Sequence, residues 1–144
     1  METNAGLFSS GAFGRNVDIL HRAMDVNVLR RNVMANNIAN ADTPNFKRTF
    51  VNYESQLRRA LRSDGQRPFP AFLTDSRHIP FRRAVDYREV QPRRVLDYLS
   101  TSKNNGNNVD IEQETVGVIE NQLLYQTMSQ AIASEFTRIN IVLR

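Results

Sequence analysis

The sequence has 144 residues and no cysteine, which excludes disulfides, thiolate nucleophiles and cysteine-based zinc sites. It contains only two histidines, His21 and His78, too few for a multi-histidine metal site. No apolar run approaches the roughly 18 residues that a membrane-spanning helix needs. The first residues lack the apolar core of a secretory signal, so we expect no cleaved signal peptide. Metal, redox and membrane-spanning classes of protein are therefore disfavoured.

Enzyme motifs are also missing. The chain has no P-loop, G-x-G-x-x-G, G-x-S-x-G or H-E-x-x-H string. The acidic pair Glu112 and Glu114 lies where a helix is predicted to begin, and the helix dipole explains carboxylates there. A small enzyme, such as a peptidoglycan hydrolase, would need an acid pair in a cleft. We predict no catalytic residue, no metal ligand and no cofactor, and hence no enzyme.

The formal net charge of +4 is distributed unevenly. Residues 1–43 carry four arginines and four acidic residues, and are neutral. Residues 44–108 carry eleven arginines and two lysines against six acidic residues, a net charge of +7. Residues 109–144 carry two arginines against five acidic residues, a net charge of −3. The basic centre allows a nucleic-acid-binding protein as the alternative, but its arginine-rich, lysine-poor composition favours a protein interface.

The first zone, residues 1–43, shows helical periodicity from about residue 16 to residue 42, with Asn16 as the expected N-cap and Pro44 ending the helix. Two polar residues, Asn27 and Arg31, fall inside the apolar stripe, where they can fix the register against a partner helix. If that partner is antiparallel, Arg31 is expected near Glu120 and Asn121. The stripe residues predicted to form subunit interfaces are Leu20, Met24, Asn27, Val28, Arg31 and Ile38.

The last zone, residues 109–144, predicts a second long helix, with Asp110 and Gln113 resembling a capping box at its start. Its broad apolar stripe contributes five predicted interface residues, which are Tyr125, Met128, Ile132, Phe136 and Ile139. A weaker stripe that includes Ile119 and Leu123 lies nearly opposite and is also predicted to form interfaces. One partner helix cannot cover both sides of such a helix, so several neighbours are expected.

The middle zone, residues 44–108, contains all five prolines and is expected to be irregular. Residues 51–62 predict a short amphipathic helix through Leu57 and Leu61, and residues 67–73 and 78–81 predict extended or turning chain. The fold class is therefore mainly α. Long N- and C-terminal helices pack as a coiled-coil-like pair around a short, proline-containing middle with little or no strand.

An unusual run of asparagines and alanines closes the first helix. The segment resembles the N-terminal signature of the bacterial flagellar rod and hook protein family, closest to its proximal rod members. The matching residues are Asn36, Asn37, Ala39, Asn40, Thr43, Pro44, Phe46 and Lys47, and the resemblance resumes at Val109 and Asp110 and at residues 120–126. Asn45 stands where the family commonly has glycine, and asparagine tolerates the left-handed conformation that such a turn requires.

The resemblance implies a structural subunit of the proximal flagellar rod, in which zones 1–43 and 109–144 form the rod core domain. Such a subunit polymerises through its terminal helices and transmits torque from the membrane ring to the distal rod. Its implied partners are other copies, other rod proteins, the rod–ring junction protein FliE, the membrane (MS) ring protein and the flagellar type III export apparatus. The implied location is the basal-body rod in the periplasmic space, without direct membrane insertion.

Overall fold

The computed structural model describes residues 11–64, 72, 74–75, 77–78, 84–100 and 106–143. Contacts divide the chain into two compact units, one comprising Met1–Val51 and Val95–Arg144 and the other comprising Asn52–Arg94. The elements in chain order are α1 (Ala12–Ala39), β1 (Thr49–Asn52), α2 (Glu54–Asp64), a 3₁₀ turn (Tyr87–Glu89), β2 (Arg93–Leu96) and α3 (Ile111–Val142). The predicted mainly α fold, with two long terminal helices and very little strand, is confirmed.

Helix α1 begins earlier than predicted. Its N-cap is Gly11, and Asn16 lies one turn inside the helix, so the predicted N-cap was wrong. The additional turn is stabilised from outside, because the ring of Phe13 packs edge-on against Phe136 of α3 with centroids 5.7 Å apart. The helix ends at Ala39, three residues before the expected limit, and stops before Pro44 as the proline requires.

Helix α3 begins two residues after the start of its predicted zone. Asp110 is the N-cap, and its side chain accepts hydrogen bonds from the backbone N–H groups of Glu112 and Gln113. Such a cap satisfies donors that have no partner within the helix. The cap function predicted for Asp110 is therefore confirmed.

The two long helices pack together and run in opposite directions. Phe13, near the start of α1, contacts Phe136, near the end of α3. Asn37, near the end of α1, donates a 3.1 Å hydrogen bond to Glu114, in the first turn of α3. These contacts, at opposite ends of the pair, establish the antiparallel arrangement.

Two four-residue strands, β1 and β2, form a small sheet. The N–H of Asp97, just after β2, donates to the carbonyl of Arg48, just before β1, over 2.9 Å. The start of one strand therefore lies beside the end of the other, and the strands are antiparallel. Val51, expected to begin the short helix, is instead a buried residue of β1.

Helix α2 belongs to the second unit and covers most of the predicted amphipathic helix. Leu57 and Leu61 are half-buried, and Ala60 is almost fully buried. In the same unit, the hydroxyl of Ser63 accepts a 3.1 Å hydrogen bond from the N–H of Val85. The segments predicted as extended chain, residues 67–73 and 78–81, lie almost entirely outside the described residues.

Candidate assembly surface and its polar anchor

A buried amide pair lies in the middle of the seam between α1 and α3. The Nδ2 group of Asn121 donates a 2.6 Å hydrogen bond to Oδ1 of Asn27. The Nδ2 group of Asn27 faces the sulfur of Met128 at 3.8 Å, and all three residues are buried. Sliding one helix by a turn would leave both amides buried without this partner. The pair therefore favours one register, as expected for a polar residue in an apolar seam.

Arg31, the second polar residue predicted in the seam, lies over an aromatic ring. Its guanidinium carbon is 5.7 Å from the ring centroid of Tyr125. This is a cation–π geometry, which favours a delocalised cation over the ring face. Asn121 bonds to Asn27, one turn before Arg31 in α1, and the expected proximity of Arg31 to Glu120 and Asn121 stays a prediction.

The remaining predicted interface residues fall into two groups. One group lies half-buried along the helix pair and consists of Leu20, Met24, Ile38, Ile132 and Ile139. The other group is exposed and consists of Val28, Ile119, Leu123 and Phe136. The contact predicted for the exposed group is with another subunit, and it stays a prediction.

Exposed apolar side chains recur along one face of α3. Val116, Ile119 and Leu123 recur at helical spacing and are 54%, 57% and 58% exposed. They lie on the side of the helix opposite Asn121 and Met128, which face α1. We call these three residues the outer stripe. A large uncovered apolar face is typical of a surface that binds another protein.

A buried polar cluster joins the end of α1 to the start of α3. Asn37 accepts a 3.1 Å hydrogen bond from the N–H of Thr49 and donates a 2.7 Å bond to the Thr49 carbonyl. It also donates to Glu114, which is only 2% exposed and forms an ion pair with Arg48. A buried carboxylate is tolerated when it is paired and hydrogen-bonded in this way.

A second buried asparagine holds the turn after α1. The Nδ2 group of Asn107 donates to the carbonyls of Ala41 at 2.8 Å and of Asn40 and Thr43 at 3.3 Å each. Its Oδ1 accepts a 2.7 Å bond from the N–H of Val109, which is fully buried. One side chain thus fixes both the turn after α1 and the approach to α3.

The next residue, Asn108, connects that approach to the strand region. Its Oδ1 accepts a 2.6 Å bond from the N–H of Arg48. Its Nδ2 donates to the carbonyl of Asp97 at 2.7 Å and to the hydroxyl of Ser100 at 3.1 Å. We call the side chains of Asn37, Arg48, Asn107, Asn108 and Glu114 the polar anchor.

Two positive φ angles occur beside the anchor. Asn45 has φ of 60°, so the left-handed conformation predicted for the asparagine in the glycine position of the family is confirmed. Gly106 has φ of 77°, and a Cβ atom there would lie 2.8 Å from Oδ1 of Asn45. Lys47 donates a 2.9 Å bond to the Gly106 carbonyl, which holds the two segments together. Only glycine fits at position 106 without strain.

Other signature residues form the turn itself. The side chain of Asn40 donates to the carbonyl and side-chain oxygens of Asn36 at 2.8 and 2.6 Å. The N–H of Thr43 donates to the Asn40 carbonyl, and the N–H of Phe46 donates to the Thr43 carbonyl. Ala39 and Pro44 are exposed and Phe46 is half-buried. The signature, as seen within one chain, thus shapes the helix end and its return to β1.

Sequence reasoning missed four residues of the anchor: Arg48, Asn107, Asn108 and Glu114. Glu114 was attributed to helix-start electrostatics, whereas it is buried and paired with Arg48, 66 positions away. This ion pair could not be predicted from local sequence, because its two residues come together only in the folded chain. Asn107 and Asn108 precede a helix cap, which made them resemble ordinary loop residues.

Among the described residues of the unit that contains the two long helices, Asp97 is the one group whose pKa departs clearly from its ordinary value. A hydrogen bond from the Ser100 hydroxyl lowers the pKa of Asp97, and partial desolvation opposes it. The N–H groups of Ser100 and Leu99 and the charge of Arg48 lower it further. The ionised carboxylate therefore stabilises the turn after β2.

The remaining acidic and histidine side chains do not form a metal-binding group among the described residues. Asp86 caps the 3₁₀ turn by accepting from the N–H of Arg88, and His21 and His78 are both exposed. Among the described residues, no group of three or more acidic or histidine side chains could hold a metal ion. No helix within them is long and apolar enough to span a membrane.

Paired terminal helices, a polar anchor and an exposed apolar stripe define a mainly helical protein that leaves an apolar surface uncovered within one chain. A family model described as flagella basal body rod protein matches residues 21–47. The flagellar basal body rod protein FlgB of Borreliella burgdorferi is 42% identical over 132 residues, covering 92% of this chain and 98% of the relative. The chain therefore belongs to the flagellar basal body rod protein family, and the expected resemblance is confirmed.

More distant relatives have the same name. FlgB of Bacillus subtilis is 29% identical over 91% of this chain and 95% of its own length. FlgB of Escherichia coli is 27% identical over 85% of this chain and 88% of its own length. The similarity thus covers both terminal helices and the middle segment. These comparisons give no support to the nucleic-acid alternative.

Proposed function

We propose that this chain is a structural subunit of the proximal rod of the bacterial flagellum. It polymerises through its terminal helices and transmits torque from the membrane ring to the distal rod. Membership of the rod protein family supports a role in the basal body. The nearly full-length match of the relatives supports a rod subunit over the whole chain, and the assignment to the proximal rod rests on the resemblance of the signature residues.

The observation that carries this proposal is the outer stripe of α3. Val116, Ile119 and Leu123 are each more than half exposed, although α3 already buries its other side against α1. Burying apolar surface contributes about 25 cal/mol per Å². Packing a neighbouring helix against the outer stripe therefore favours association. Polymerisation removes this apolar surface from water.

Torque transmission requires a subunit whose helices do not slide past each other. The Asn27–Asn121 pair opposes sliding in the middle of the seam, because an unpaired buried amide costs about 1–3 kcal/mol. The polar anchor opposes it at one end, through Asn37 and Glu114. A subunit fixed at two levels can pass on a rotational load without changing register.

Several partners follow from this role as proposals. The chain contacts other copies and other rod proteins along the rod, and FliE and the MS ring protein at the membrane end. It reaches the periplasmic space through the flagellar type III export apparatus, without a cleaved signal peptide. The absence of cysteine suits a chain that passes unfolded through an export channel and folds in an oxidising compartment.

The test introduces charge into the outer stripe. We expect Ile119→Asp combined with Leu123→Asp to abolish swimming in soft agar and to remove the chain from isolated basal bodies. The reason is that two buried, unpaired carboxylates would oppose packing at the interface. Swimming and basal-body content are the measurements, in a strain whose only copy of the gene carries the variant.

A matched control lies on the same face of the same helix. Gln130 is exposed, and Gln130→Asp adds a charge there without touching the apolar residues. This variant should swim normally. Circular dichroism of both purified variants confirms that α3 still forms. Normal motility of the Ile119/Leu123 variant would refute assembly through this face.

A further inference from the structure

Helix α2 presents a basic face, although the exposed Glu54 lies one turn before Arg58. Arg58, Arg59 and Arg62 are exposed and lie within about 100° of arc on the helix, opposite the buried Ala60. Within the described part of the chain, none of the three has a carboxylate partner. We call these three arginines the basic face.

The outer stripe of α3 is bordered by acidic residues. Glu112 lies at its N-terminal end and Glu120 on its flank, and both are exposed. Neither pairs with a cation among the residues described. The surface is thus apolar in the centre and negative at its margins.

The two surfaces match in length and charge. Helix α2 has 11 residues and is about 16 Å long, the same length as the segment 112–123 of α3. Arginine stems can cover apolar side chains while their guanidinium groups reach carboxylates beyond. Three arginines therefore fit a stripe of three apolar residues flanked by two glutamates.

We propose that the basic face of one copy docks on the outer stripe of a second copy, with the arginines pairing with Glu112 and Glu120. This inference rests on the proposed function, because it requires copies to assemble, and it names which two surfaces meet. The surfaces differ, so the contact is head-to-tail. Repetition of a head-to-tail contact gives a ring or an open helical array, either of which fits a rod.

Cysteine cross-linking tests this contact directly, since the natural chain has no cysteine. We expect a full-length chain carrying Arg59→Cys and Ile119→Cys to form disulfide-linked dimers and longer ladders in isolated basal bodies after mild oxidation. The control pairs Arg59→Cys with Gln130→Cys, which lies about 16 Å further along α3. Assembled basal bodies without a ladder from the first pair would overturn the proposal.

Charge exchange provides the second test. Reversing Arg58 and Arg62 to glutamate, in chains that keep Arg59→Cys and Ile119→Cys, should reduce the cross-linked product at least tenfold. Adding Glu112→Arg and Glu120→Arg to the same chain should restore the product to within threefold. If the cross-linked product is lost and the glutamate-to-arginine changes do not restore it, the proposed pairing is wrong. The arginines then serve another partner, such as a different rod protein or an anionic lipid.

The two proposals fail in different ways. If the arginine reversal leaves swimming and basal-body content normal, the α2–α3 contact is wrong while the rod function stands. If cells lacking the whole chain build complete basal bodies, the rod function itself is wrong. Cross-linking in the first case and basal-body isolation in the second distinguish these results.

Discussion

Replacing Asn37 by alanine tests whether the polar anchor stabilises the fold. The Asn37 side chain makes three hydrogen bonds, two with the backbone of Thr49 and one with Glu114. A buried hydrogen bond contributes about 1 kcal/mol to stability, so losing three costs about 3 kcal/mol. Alanine favours the helix by about 0.6 kcal/mol over asparagine, which leaves a net loss of about 2.4 kcal/mol.

Urea unfolding of the full chain, followed by circular dichroism, measures this loss. With a slope of about 2 kcal/mol per M, the Asn37→Ala midpoint should fall by about 1.2 M. The control is Asn36→Ala, the preceding residue of the same helix. Asn36 is exposed and bonds only to Asn40 through its side chain in the described structure. The helix-propensity gain is common to both variants.

The comparison between the two variants decides the question. Asn36→Ala should shift the midpoint by less than about 0.3 M, since exposed hydrogen bonds are exchanged for bonds to water at little cost. Equal midpoints for the two variants would show that the anchor contributes nothing and would refute the reasoning.

Four further changes have expected outcomes. Gly106→Ala should destabilise the chain by about 1–2 kcal/mol, because the residue has φ of 77° and its new Cβ would meet an oxygen at 2.8 Å. Gly117→Ala should instead stabilise it by up to about 1 kcal/mol, because its Cβ would make ordinary 3.5 Å contacts inside a helix; thermal unfolding that ranks the two alike would contradict both. Replacing Asn27 and Asn121 together by leucine should preserve or raise helix stability but loosen the register, seen as several disulfide pairings between engineered cysteines instead of one. Asp97 has a lowered pKa in the folded chain, so its contribution is present above about pH 4 and is lost as pH falls through the folded value; Asp97→Asn should flatten this part of the stability–pH curve.

Local patterns predicted much of this structure. Helical periodicity gave both long helices, and Asp110 gave the start of α3, since a cap depends on neighbouring residues alone. The left-handed conformation of Asn45 was expected because asparagine stands where the family commonly has glycine. The polar residue Asn27 was expected in the seam because it interrupts an apolar stripe.

Long-range contacts could not be predicted in the same way. The first turn of α1 forms beside a ring on α3, so the N-cap moves from Asn16 to Gly11. Glu114 is buried because Arg48 and Asn37 reach it across 66 and 77 positions of sequence. Such pairings depend on the tertiary arrangement, which no local period encodes.

The pairing of β1 with β2 makes the chain modular. Strand β1 ends at Asn52 and β2 begins at Arg93, so the middle segment leaves and returns at hydrogen-bonded neighbours. The entropy of bringing its ends together rises by only about 0.6 kcal/mol for each doubling of its length. A segment of very different size can therefore be grafted between the same two strands while the helix pair keeps its geometry. Subunits of different size can thus be built on one and the same pair of helices and strands.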